Sequence, residues 1–166
     1  MTKRNPTNIP ASVKTRLLNL AHERQEDFNL LLMRYGIERL LYRLSCSEHA
    51  DTFVLKGAML FHLFADAPHR PTKDLDLLGK GNPDVTRTEE IIQGVTQQKV
   101  GDDGLTFDPT SVRAERIKED QGYEGIRVTL LAKLGSARIP LQIDIGFGDA
   151  ITPRPMKKKQ IGRAHV

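Results

Sequence analysis

The sequence has one cysteine, Cys46, in 166 residues. A single thiol can neither close an internal disulfide nor build a zinc site by itself. The five histidines show no metal-ligand spacing. No apolar run approaches the roughly 18 residues of a membrane-spanning helix. The opening stretch MTKRNPTNIPAS lacks the apolar core of a secretory signal. With disulfides and a signal both missing, a reducing cytoplasm is the expected location. Neither a Walker A spacing nor G-x-G-x-x-G occurs, which excludes P-loop and dinucleotide-binding readings.

Acidic residues are absent from position 151 onward, whereas five basic ones occur there: Arg154, Lys157, Lys158, Lys159 and Arg163. The whole chain has 25 Lys+Arg against 21 Asp+Glu, a net charge of +4. Setting the tail aside leaves 20 against 21 over residues 1–150, a net of −1. The basic character therefore belongs to the tail, and a general nucleic-acid-binding reading built on it loses its support. Hydrophobic residues at 39% and charged residues at 28% exclude a disordered or collagen-like chain. The length is enough to bury a real core. Three parts are expected: a helical region over 1–50, a core over 51–150, and the basic tail over 151–166.

Periodicity sets the expected elements. Val13, Leu17, Leu18, Leu20 and Ala21 repeat at helical spacing over residues 9–25, with Pro10 tolerated in the first turn. Asp27 is the expected N-cap of a second helix over 27–44 with a broad apolar face. Residues 52–55 read as a short strand, followed by a turn at Lys56-Gly57 and a helical stretch to Ala65. Residues 74–78 alternate polar and apolar as a strand does, and 85–98 form an amphipathic helix around Ile91, Ile92 and Val95. Strands are expected over 112–118, 125–134 and 137–147, the last two joined by a hairpin turn at Gly135-Ser136. Pro140 places its strand at an edge or bulge at that point. Asp102 and Asp103, between glycines, read as a turn. The order predicts an α/β (α+β) domain with a mixed sheet and N-terminal helices.

The chemistry concentrates in Asp74-Leu75-Asp76. In a strand, residues i and i+2 share a face, so two carboxylates would stand roughly 6.5 Å apart along the chain while Leu75 and Leu77 face the core. Such a pair repels unless a cation lies between. Hard oxygen ligands suit Mg²⁺, and two such ions about 3.5–4 Å apart can hold the attacking and leaving oxygens of a phosphoryl transfer in line. Asp144, flanked by Ile143 and Ile145, is the candidate third carboxylate, since aspartate is depleted in strands. A strand entering the Lys56-Gly57 turn and then a helix presents backbone N–H groups suited to a triphosphate, with Lys56 adding a point charge.

Three separated blocks, FVLKGAMLFHLF, RPTKDLDLL and PLQIDIGFGD, resemble the AbiEii/AbiGii toxin family within the polymerase-β-type nucleotidyltransferases, over about residues 9–155. The resemblance implies that Gly57 and Ala58 lie in the substrate-side glycine turn. It makes Asp74 and Asp76 metal ligands and Asp144 the third acidic position. Lys56, Arg70, Thr72 and Lys73 become phosphate contacts. It also implies Mg²⁺, a nucleoside triphosphate substrate, an RNA acceptor such as the tRNA 3′ end, and a separately encoded antitoxin.

Two departures stand out. Ala58 replaces the small hydroxyl or second glycine usual after the turn glycine, and nothing after Asp149 matches the family's C-terminal lysine and Lys/Asp motifs. Residues 160–166 correspond to CAG-ATC-GGA-AGA-GCA-CAC-GTC, which apart from its first base resembles a common sequencing-library adapter. They are expected to be read-through, and finding these codons in genomic DNA would refute that. A chain ending here is expected to be a fragment with weak or absent activity. The alternative reading is a catalytically inactive nucleotidyltransferase-like module that binds RNA or a protein.

Overall fold

A computed structural model describes residues 8–56, 74–118 and 124–147. These form α1 (Ile9–Arg24), α2 (Phe28–Cys46), β1 (Phe53–Lys56), β2 (Asp74–Gly79), α3 (Val85–Thr96), β3 (Leu105–Lys118), β4 (Glu124–Leu134) and β5 (Ala137–Phe147). The five strands make one mixed sheet in the order β1-β2-β5-β4-β3. Only β2 and β5 run parallel; the other neighbours are antiparallel. This is the α+β architecture with N-terminal helices that the sequence predicts. No helix among the described residues is long and apolar enough to cross a membrane.

Side-chain oxygens set the helix starts. Asn8 accepts from the Ala11 amide at 3.1 Å ahead of α1, with Pro10 in the first turn. Asp27 accepts from Asn29 and Leu30 at 2.7 and 3.2 Å ahead of α2, as expected from the sequence. Asp84 does the same for α3 through the Arg87 amide. α1 ends on Gln25 in the left-handed region (φ 54°), a conformation that favours glycine.

One side of the sheet is the core. Leu75, Leu77, Ile126, Val128, Leu130, Ile139, Leu141, Ile143 and Ile145 are all buried. They pack with Leu32, Ile37, Leu40 and Leu44 of α2 and with Ile91, Ile92 and Val95 of α3. Gly36 lets α2 sit close, because a Cβ there would lie 3.2 Å from a Leu141 methyl. The same pleat turns Asp76, Asp144 and Arg127 away from the core.

Pro140 lies in a strand that is central to the sheet; among the described residues its ladder partner is Leu131 of β4, and the pairs with β2 begin at Gln142. β3 starts at Leu105, seven residues earlier than the sequence suggests. A bulge between Asp108 and Arg113 hides the first half of the strand from periodicity. Within it, hydrogen bonds from the Thr110 hydroxyl and amide hold the Asp108 carboxyl below its usual range. The Ser111 hydroxyl donates to the Asp108 carbonyl at 2.6 Å and accepts from the Leu131 amide at 2.8 Å, taking the place of a missing ladder partner.

The loop before β3 is tied to α2. Asp103 receives Arg43 Nη1 and Nη2 at 2.7 and 3.0 Å and Arg39 Nε at 2.7 Å. The Tyr35 hydroxyl donates to the Asp103 carbonyl at 2.6 Å. Burial pushes the Asp103 carboxyl up, but the Arg43 and Arg39 hydrogen bonds, with the Leu105 amide, outweigh it and hold the group below its usual range. Burial, reinforced by the Asp103 charge, pushes the Tyr35 phenol up. Arg43 also lies over the Phe107 ring, 4.7 Å from its centre. The sequence reads Asp103 as a turn residue, and it is that, but it is also the acceptor that docks α2 onto the sheet.

Candidate active site

β2 and β5 build the site between them. Their parallel register pairs Asp74 with Gln142, Leu75 with Ile143 and Asp76 with Asp144. Adjacent strands lie about 4.8 Å apart, so Asp76 and Asp144 are direct lateral neighbours on the side opposite Leu75, Leu77, Ile143 and Ile145. Both are half-buried. Two like charges about 5 Å apart at an effective dielectric near 20 repel by about 3 kcal/mol. Strand pairing is what sets the two residues side by side.

Arg127 of β4 offsets part of that repulsion. Its Nε donates to Asp144 Oδ1 at 2.9 Å and its Nη2 donates to Asp144 Oδ2 at 3.2 Å. The Asp144 side chain is 15% exposed and that of Arg127 is 37% exposed. This planar fork engages both oxygens of one carboxylate. Sequence reasoning missed Arg127. The available signal was an arginine between Ile126 and Val128, on the polar phase of a strand whose other phase is apolar.

The register extends across the whole sheet. Lys56 pairs with Asp76, Asp76 with Asp144, Asp144 with Arg127, and Arg127 with Glu115. One row, one residue from each strand, thus reads basic, acidic, acidic, basic, acidic. The two carboxylates occupy its middle with a basic residue in register on either side.

Of the residues the sequence singles out, the structure therefore brings Asp76 and Asp144 together and places Lys56 and Asp74 by backbone position in β1 and β2. Gly57, Ala58, Arg70, Thr72 and Lys73 lie outside the described residues, as does the tail. Among the described residues, no cluster of three or more His, Cys, Asp or Glu side chains gathers as a metal nest. The donor chemistry of the row, hard carboxylate oxygens, fits Mg²⁺ better than a thiophilic ion.

A family model described as nucleotidyl transferase AbiEii toxin, type IV toxin–antitoxin system, matches residues 39–161. The matched span runs from the second half of α2 through every strand of the sheet, and so includes the carboxylate row. No curated protein matches the chain. The match covers well over half of the sequence and contains both strands that carry the acidic pair, and the chain belongs to the AbiEii nucleotidyl transferase toxin family.

Proposed function

We propose that this chain carries the core of a metal-dependent nucleotidyltransferase that moves a nucleoside monophosphate from a nucleoside triphosphate onto an acceptor hydroxyl. The acceptor oxygen forms a bond to the α-phosphorus, the bond from that phosphorus to the bridging oxygen breaks, and pyrophosphate leaves. The acceptor hydroxyl gives up its proton as the new bond forms. The observation that carries the reading is the lateral pairing of Asp76 with Asp144 on adjacent parallel strands, on the side away from the core.

Asp74, Asp76 and Asp144 would hold Mg²⁺. The chemistry that Mg²⁺ supplies when bound is neutralisation of triphosphate charge and activation of the attacking hydroxyl. Lys56, at the end of β1 and in register with Asp76, would add a positive charge toward the triphosphate. Gly57 and Ala58 would offer it backbone amides, and Arg70, Thr72 and Lys73 would add further contacts. Family membership supports an RNA acceptor such as a tRNA 3′ end. It also supports a toxin role in the bacterial cytoplasm, held in check by a separately encoded antitoxin.

The test is a labelling assay. Purified protein is incubated with labelled nucleoside triphosphates and total RNA, with and without Mg²⁺. Mg²⁺-dependent transfer of label that Asp76→Ala abolishes is the expected result. Equal labelling by the parent and by Asp76→Ala refutes it. Binding of RNA or nucleotide with no transfer would instead favour an inactive binding module.

A further inference from the structure

We infer that Arg127 is a positioning residue of the carboxylate row, which fixes the Asp144 carboxylate for a divalent cation held between Asp144 and Asp76. The inference rests on the metal-dependent reading above and adds a residue to it.

The fork from Nε and Nη2 reaches both oxygens of Asp144, at 2.9 and 3.2 Å, so it sets the plane of the carboxylate as well as its location. The fork leaves each oxygen further acceptor capacity. β5 lies between β4 and β2, so Arg127 stands on one side of Asp144 and Asp76 on the other, all three in register. Arg127 and Asp76 thus flank Asp144 along one row.

Arg127 is 37% and Asp144 15% exposed, so the pair is partly open to solvent and its contribution to folding is discounted for screening. What the fork does accomplish is to hold the Asp144 carboxylate, beside Asp76 in the row, in a single orientation. Partners that orient a metal ligand typically alter metal affinity by 10–100-fold when removed.

The test reads Mn²⁺ binding to the whole chain by paramagnetic resonance or calorimetry, with folding checked by circular dichroism. The expected result is that Arg127→Gln folds and binds Mn²⁺ about 10–100-fold more weakly than the parent. Arg127→Lys should recover only part of the loss, because one ammonium cannot reproduce a planar fork. Arg138→Gln, an exposed change elsewhere on β5, should bind as the parent does. In an Asp144→Asn background, adding Arg127→Gln should cause no further loss, because Arg127 acts through Asp144.

Parent-like or tighter Mn²⁺ binding by Arg127→Gln overturns the inference. So does a loss of equal size with and without Asp144, which a general structural effect would give. If Arg127→Gln does not fold, Arg127→Lys carries the test, and unchanged binding by it is equally decisive. A parent protein without Mn²⁺ affinity overturns the metal-dependent reading and this inference together. An unchanged Arg127→Gln in a parent that does bind Mn²⁺ overturns this inference alone.

Discussion

Asparagine in place of Asp103 removes one negative charge from the joint between α2 and the sheet and leaves the shape nearly intact. The charge answers two arginines through three hydrogen bonds of 2.7, 2.7 and 3.0 Å. Side-chain exposure is 6% for Arg43 and 8% for Asp103, so the substitution strands a buried guanidinium. Breaking a buried pair from one side costs about 3–5 kcal/mol. Arg39 is 27% exposed and adds no more than about 1 kcal/mol. The asparagine oxygen can still accept from Arg43, and the stacking of Arg43 on Phe107 survives, so the lower end applies, about 3 kcal/mol. At an m-value of about 2 kcal/mol/M, that moves a urea midpoint by roughly 1.5 M. In a melt it is roughly 10 °C. Urea titration followed by circular dichroism is the assay.

The pH dependence carries the sign. Asp103 is held below its ordinary value of 3.8 in the folded protein. Its contribution is therefore complete above that value and is lost as pH falls through the lower, folded one. The gap between parent and Asp103→Asn should accordingly be constant at neutral pH and close in acid. A gap under about 1 kcal/mol at pH 7, or one that widens in acid, refutes the network as the anchor of α2.

Other substitutions probe other joints. Gly79 of β2 faces the Phe147 ring of β5, and a Cβ there would run into it. Gly79→Ala should cost about 1–3 kcal/mol by overpacking and reduce Mn²⁺ binding, as read by melting and titration, because the same two strands hold Asp76 and Asp144. Ser111→Ala removes the acceptor of the Leu131 amide and should cost about 1–2 kcal/mol in urea. Gln25→Gly relieves the left-handed backbone at the end of α1 and should stabilise the protein by about 0.5–1 kcal/mol.

Much of the fold is legible because its causes are local. The Asp27 cap, the Gly135-Ser136 turn and the alternation in β2 and β5 each depend on a few adjacent residues. Gly135 adopts a φ of +60°, as that hairpin turn requires. What escaped depends on distant partners. Asp103 reads as a turn until Arg39 and Arg43, some sixty positions earlier, are placed beside it. The hint was Arg43 on the otherwise apolar face of α2. The early start of β3 was masked by the Asp108–Arg113 irregularity, where side chains of Asp108, Thr110 and Ser111 satisfy groups that an ordinary ladder would.

The acidic site divides the same way. Asp76 and Asp144 could each be assigned from sequence to the polar phase of an apolar strand, because side chains alternate with a period of two whatever the partner strand. Their meeting could not. It requires β2 and β5, separated by residues 80–136, to be parallel neighbours in one register out of several. A slip of two residues would keep every leucine and isoleucine in the core and yet set Asp74, not Asp76, beside Asp144. Packing of the whole sheet selects the register, including the Phe147 ring that lies over Gly79, where a Cβ would run into it. The same packing brings Arg127 to Asp144 from a third strand. Local patterning therefore determined which residues face away from the core, and only the tertiary structure decided which of them share a row.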